Sequence, residues 1–367
     1  MKYYVIAGEA SGDLHGSNLM RELMQEDPNA QFRFWGGDKM AEVSGQKPVK
    51  HYRDLAFMGF IEVVQNLRTI LGNMSFCKKD ILEYAPDAII FIDYPGFNLR
   101  IAEFAKKKGI KTIYYISPQI WAWKKGRIKQ IRANVDKMLV ILPFEKPFYK
   151  ELDYEVDFVG HPLLDAIEQR KAAANPSGFT PENDKPIIAL LPGSRKQEIS
   201  TVLPTMVEVA KQFPEYQFCV ACAPSQDLST YQQIVPNAPI QWVEGKTYDL
   251  LEKAHAAIVT SGTATLETAL FKVPEIVVYK GSQISYLIAR QLVKINYISL
   301  VNLIMDKEVV KELIQGDYNT KNTVAELKKI LSGEHRETML AEYEELNHKL
   351  GGAGASRRAA QEIVNCL

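Results

Sequence analysis

The residue types best suited to chemistry in this chain stand where short apolar runs end. Ile187 to Leu191 leads into Pro192, Gly193, Ser194 and Arg195 and then into the charged, helix-forming residues Lys196 to Ser200. A buried parallel strand, a glycine turn and a helix start aim backbone N–H groups, a helix dipole and one arginine at the crevice beyond the strand ends, where a phosphate would sit. The plain alternative is a βα turn whose arginine pairs with a surface carboxylate. A second turn, Ser261-Gly262-Thr263, follows the strand expected over 256–260 and opens a helix carrying Glu267. Its N–H groups suit a diphosphate and its acid suits two ribose hydroxyls, although threonine and glycine are also ordinary helix starters. Asp93 ends the strand expected over 87–92, in an apolar setting of Tyr94, Pro95 and Phe97 that should raise its pKa and suit it to act as a base. Its alternative is a helix N-cap. His161, at another strand end, is either a ligand residue or a capping one. Asn302 and Gln315 are either sugar readers or solvated loop amides.

Such positions require open α/β sheets to hold them. Lys2 to Gly8 reads as a first strand, followed by Glu9 to Asp13 and a helix over 14–24. Gly8 and Gly12 let that turn bend sharply and approach a ligand closely. The turn lacks the Gly-x-Gly-x-x-Gly spacing of a dinucleotide site. Trp35-Gly36-Gly37-Asp38 makes a similar turn, either lining a crevice or serving as a tight turn only. Residues 55–74 read as a helix whose stripe Phe57, Phe60, Ile61, Val64, Leu67 and Leu71 widens into a broad apolar arc. That suits an interfacial helix or one packed between two lobes. Ser117 to Trp123 precede a basic helix with Lys124, Lys125, Arg127, Lys129 and Arg132, suited to a phosphorylated or lipidic ligand or simply core plus solvated face. A linker composition spans 171–185, and further strands are expected over 217–223, 240–243 and 275–279, with a helix ending near Leu313-Ile314-Gln315.

At 367 residues the chain is long enough for two domains. Lys plus Arg equals Asp plus Glu at 44 each, and no nucleic-acid module is present, so nucleic acid is not an expected partner. Four cysteines are too sparse for a disulfide framework, which points to a reduced, intracellular protein. Cys219 and Cys222 lie in an apolar strand pattern and read as core, not as half a metal site. No apolar window is long enough to span a bilayer, so the chain is expected to be soluble and at most to lie on a membrane.

GEASGD at 8–13, FMGFIEV at 57–63, FIDYPGFN at 91–98, SPQIWAW at 117–123, LPFE at 142–145, GHPLLD at 160–165, LLPGSR at 190–195, SGTATLE at 261–267 and VNLI at 301–304 resemble, in that order, the lipid-A-disaccharide synthase family. The resemblance covers nearly the whole chain. It implies an α/β GT-B glycosyltransferase fold with two Rossmann-like domains facing a central cleft and no metal or other cofactor. The domains would be residues 1–168, facing acceptor and membrane and completed by a C-terminal helix over 354–367, and residues 169–350, binding the UDP-sugar donor. The implied reaction moves 2,3-diacylglucosamine from UDP to the 6-hydroxyl of 2,3-diacylglucosamine 1-phosphate, giving a β-1,6 disaccharide and UDP. Asp93 would be the general base, Arg195, Ser194 and the Ser261-Gly262-Thr263 turn would hold the diphosphate, and Glu267 the ribose. Asn302 and Gln315 would contact the donor, with Gly8, Ser11 and Gly12 on the acceptor side and His161 among the substrate residues. Because both lipids are membrane-anchored, the stripe from Phe57 to Leu71 would dock on the cytoplasmic face of the inner membrane. The final helix would return to its own first domain or cross to the second subunit of a homodimer. Val301 stands where the family has proline, and Gly316-Asp317 where it has acids. The rival readings are a UDP-sugar 2-epimerase of the same fold and a non-catalytic UDP-sugar or lipid-binding protein.

Overall fold

The computed structural model describes residues 1–55, 67–122, 125–172, 178–281 and 296–367. They form two compact units, Met1–Ala172 with Leu350–Leu367, and Ala173–Lys349. The expected positions Phe57, Phe60, Ile61, Val64, Trp123 and Lys124 lie outside the described residues.

The first unit is built on a parallel sheet in the order β3-β2-β1-β4-β5-β6-β7. Its strands are β1 Lys2–Ala7, β2 Gln31–Gly36, β3 Lys50–His51, β4 Ala88–Ile92, β5 Lys111–Tyr115, β6 Lys137–Val140 and β7 Asp157–Phe158. β4 is buried at every position and β1 at all but its first, as parallel strands covered on both faces by helices must be. The helices used below are α1 Ala10–Glu26, α2 Asp38–Ser44, α3 Leu67–Tyr84, α4 Pro95–Lys107, α5 Ile128–Asn134, α6 Glu145–Lys150 and α7 Pro162–Ala172. Strand order reverses between β1 and β4, and open α/β sheets bind ligands beyond the strand ends at such a reversal. The Gly37 turn is explained by capping. Asp13, on α1, accepts from the N–H groups of Gly37 at 2.7 Å, Lys39 at 3.1 Å and Met40 at 3.1 Å, satisfying the start of α2.

The second unit repeats the plan in the order β10-β9-β8-β11-β12-β13, with its reversal between β8 Ile187–Leu191 and β11 Ala254–Thr260. The others are β9 Gln217–Cys222, β10 Gln241–Glu244, β12 Glu275–Tyr279 and β13 Lys311–Ile314. Cys219 and Cys222 are both buried in β9 as core thiols. The helices are α8 Lys196–Ala210, α9 Leu228–Ile234, α10 Thr247–Lys253, α11 Thr263–Leu270, α12 Leu300–Met305, α13 Thr320–Leu331 and α14 Glu334–Lys349. Residues Lys311 to Ile314 pair with β12 as a parallel strand and do not end a helix as expected. Four residues carry too little local preference to resist a ladder offered by the neighbouring strand.

The chain then returns to the first unit, where α15 Ala355–Asn365 packs on α1 and α7. Asp165 on α7 caps it, accepting from the N–H groups of Gly354 at 2.6 Å and Ser356 at 2.7 Å. Arg358 donates to the carbonyls of Val159 and Ala353, each at 2.8 Å, and the His161 N–H donates to Leu350 at 3.2 Å. Charge-assisted bonds to otherwise unsatisfied backbone groups hold the return in place.

Candidate active site

Asp93 follows β4 at the reversal of the first sheet. Its φ is +43°, that of Tyr94 is +49°, and Ile116, just past the end of neighbouring β5, has φ +65°. Three non-glycine residues in the left-handed region each cost on the order of 1 kcal/mol or more. Local bonds hold that geometry. The Asp93 carbonyl accepts from the Tyr114 hydroxyl at 2.6 Å and the Asn98 side-chain amide at 2.7 Å. The N-cap of α4 is Tyr94, so Asp93 is not the cap its sequence position allowed. Its carboxyl is pushed up to about 7, first by burial, then by Glu9 just past β1, with Glu145 adding to the same effect. The expected rise therefore has a second source besides the apolar neighbours. Both acids were out of sight in sequence because they come from other strand ends. The signals were present in the Glu9 of GEASGD and in LPFE, to which no role was given.

Gly8 is required at the end of β1, since a Cβ there would stand 2.4 Å from the Tyr94 ring. Gly12 is buried against Ala7 and serves helix-on-strand packing, whereas Ser11 is exposed in the first turn of α1. His161 is buried, and its Nδ1 accepts from the Leu163 N–H at 3.2 Å at the start of α7. Burial lowers its pKa to about 3, so it is a neutral capping histidine.

In the second unit, the turns after β8 and β11 stand side by side at the strand reversal. Gly193 has φ +101°, and a Cβ there would come 2.7 Å from a Glu198 oxygen. The Arg195 guanidinium meets Glu198 at 2.9 Å, the surface pairing the plain reading anticipated, with 62% of the arginine side chain exposed. Ser194 is exposed, and its carbonyl accepts from Ser225 at 3.0 Å and Gln226 at 3.2 Å. Ser261 is committed on both sides, its N–H to Val278 at 3.0 Å and its hydroxyl to Ile298 at 2.9 Å. The exposed positions of the turn are Gly262 and Thr263, at the start of α11. Glu267 accepts from the Tyr248 hydroxyl at 2.9 Å, while burial raises its pKa.

Asn302 and Gln315 part company. The Asn302 oxygen accepts from the N–H groups of Val309 at 2.7 Å and Val310 at 3.0 Å, and its nitrogen donates to Val310 and Glu312, both at 2.9 Å. In the structure the donor and acceptor capacity of this wholly buried amide is met within the fold. Gln315 follows β13 with φ +53°, and its buried side-chain nitrogen has no partner among the described residues. An orphaned donor at a strand end suits a ligand.

Of the apolar stripe, Leu67 opens α3 and Leu71 is 54% exposed on it. Phe76 and Leu82 are also exposed on that helix. Among the described residues no helix is long and apolar enough to cross a membrane.

The family model of lipid-A-disaccharide synthetase matches residues 3–364. The chain belongs to this family. The lipid-A-disaccharide synthase of Syntrophus aciditrophicus is 42% identical over 97% of this chain and 95% of its own length. That of Nitrosococcus oceani is 39% identical over 99% and 95%. Among solved structures, UDP-GlcNAc 2-epimerase from Neisseria meningitidis bound to UDP-GlcNAc superposes with a TM-score of 0.64 at 14% identity, covering 100% of this chain and 99% of the other. The glycotransferase of kitacinnamycin does so at 0.68 and 13% identity, with the same coverage. At such identities these structures speak for the fold, which is GT-B, and family membership separates the chain from the epimerases.

Proposed function

We propose that the protein moves 2,3-diacylglucosamine from UDP to the 6-hydroxyl of 2,3-diacylglucosamine 1-phosphate with inversion at the anomeric carbon. Asp93 takes the hydroxyl proton as the oxygen attacks. The new C–O bond forms on one face of the sugar while the bond to the diphosphate breaks on the other, its electron pair leaving with UDP. The developing charge is met by Arg195, freed from Glu198, and by N–H groups at the start of α11. An exposed ion pair of this kind contributes about 1 kcal/mol or less, so a diphosphate displaces it cheaply. Glu267 holds the ribose with the oxygen turned from Tyr248, and Gln315 donates to the donor. Gly8 and Ser11 belong to the acceptor side. The exposed Leu71, Phe76 and Leu82 on α3 support a membrane-facing surface and a peripheral position on the cytoplasmic side of the inner membrane, where both acylated substrates would be anchored.

The observation that carries these roles is the Asp93 carboxyl, half-buried at the sheet reversal with a proton affinity matched to neutral pH, in a member of this family. The test mixes purified protein, UDP-linked donor and 1-phosphate acceptor in detergent and measures disaccharide and UDP. Turnover that requires both acylated substrates is expected. No turnover, or equal turnover without acyl chains, overturns the reading.

A further inference from the structure

Two of the sequence motifs remain without a task, SPQIWAW and LPFE, and the structure joins them through one buried contact. Glu145, the first residue of α6, is 1% exposed. One carboxylate oxygen accepts from the Ser117 hydroxyl at 2.5 Å, and the other accepts from the N–H groups of Ile141 at 3.2 Å and Leu142 at 2.9 Å. The Trp121 indole N–H and the Tyr149 hydroxyl face the same group. Burial pushes this carboxyl up to about 7 against the pull of its three donors, so near neutral pH it is ionised only part of the time. Folding the loop before α6 does not by itself need a charge there.

Its place gives the reason. Asp93 ends β4, Ser117 lies just beyond β5, and Glu145 lies just beyond β6, so the two acids stand at strand ends on either side of β5. Two strand spacings are about 10 Å. The strand between them also ties them together, for Tyr114 and Tyr115 of β5 bond the Asp93 backbone while Ser117 bonds Glu145. The remaining groups that face the pair are Glu9 beyond β1 and Tyr114 on β5, which Arg127 in turn influences. We propose that Glu145 is a positioning residue for the reaction, a buried carboxyl fixed by its donors at the strand end across β5 from Asp93 and electrostatically coupled to that base. The inference rests on Asp93 being the base. Two buried acids so placed titrate as a pair, each step belonging to both.

The test compares the wild-type enzyme with Glu145→Gln, which keeps the shape, accepts from Ile141 and Leu142 through its oxygen and donates to Ser117 through its nitrogen. At an effective permittivity near 20, a charge about 10 Å away is worth about one pKa unit. With Glu145 ionised only part of the time, the acid limb of kcat/KM against pH is therefore expected to move down by up to about one pH unit in Glu145→Gln and to narrow to a single ionisation. A purely structural Glu145 would lower the rate at every pH and leave the limb where it is, and that result overturns the proposal. The 13C carboxyl signal of Asp93, identified by its loss in Asp93→Asn, gives a readout independent of turnover and is expected to shift its midpoint the same way. If Asp93→Asn keeps its activity, the assignment of the base fails while the carboxyl titration still decides the coupling. Should Glu145→Gln not fold, Ser117→Ala removes one donor to the carboxylate and keeps Glu145 protonated to higher pH. A smaller downward shift of the Asp93 midpoint is then expected, and an unmoved midpoint overturns the proposal.

Discussion

At the scale of residues, Asp93 combines backbone strain with a carboxyl that resists ionising, and both raise the energy of the native state at neutral pH. Its folded pKa of about 7 exceeds the ordinary 3.8, so the native state binds this proton more tightly than the unfolded chain does. The associated stability is fully present below pH 3.8 and is lost as pH rises through 7. Asp93→Asn cannot ionise. It is expected to match the wild type in urea unfolding near pH 4 and to exceed it at pH 8 by up to about 4 kcal/mol, less where solvent reaches the carboxylate, while losing most activity. Equal stability at both pH values would contradict the assigned proton affinity. Arg195→Ala removes an exposed pair with Glu198, so the thermal midpoint should stay nearly constant. UDP affinity, measured by calorimetry, should fall about 10- to 100-fold, the loss of one charge-assisted contact, and unchanged affinity would return the turn to an ordinary βα connection. Asp93 was legible because an apolar run ends on an acid. The company it keeps was not, because Glu9 and Glu145 reach it only through strand order. Asn302 shows the same limit, since a sequence shows an amide but not the backbone groups that take up its hydrogen bonds.

At the scale of elements, α3 carries a buried stripe that includes Met74, Cys77 and Ile81, and an opposite side that leaves Leu71, Phe76 and Leu82 in solvent. Large apolar side chains exposed along one helix mark a surface built to be covered. Replacing Leu71 and Phe76 together by serine is expected to release the protein from anionic vesicles in a flotation assay, with turnover of detergent-dispersed substrates little changed. Retained vesicle binding would assign membrane contact elsewhere. The sequence announced an apolar helix over 55–74 because its period is long and regular; residues 56–66 of it lie outside the described residues, and the described helix Leu67–Tyr84 runs on ten residues past the expected end. β13 was misread because four residues show no period at all, and its pairing with β12 decides its form.

At the scale of the whole molecule, alternating strand and helix patterns made two α/β units readable from sequence, because buried parallel strands must be continuously apolar. Strand order was not readable, since the pattern says what a segment is and not which neighbour it takes. Asp165 is central here, for its carboxylate caps the returning helix. Asp165→Ala is expected to destabilise the first unit by about 2 kcal/mol, the upper range for a lost cap. Hydrogen exchange should rise in α15 and α1 and stay constant in the second sheet, and a uniform rise would show that the two units unfold together.

The return of Leu350–Leu367 also sets an order of events during synthesis. A ribosome makes residues 173–349 before it makes the segment that completes the unit begun at Met1. The second unit can therefore close on itself while the first still exposes the apolar side of α1 that α15 will cover. The half of the protein that emerges first is the half that must wait, and a nascent chain arrested before residue 350 would present an unfinished first unit to chaperones beside a finished second one.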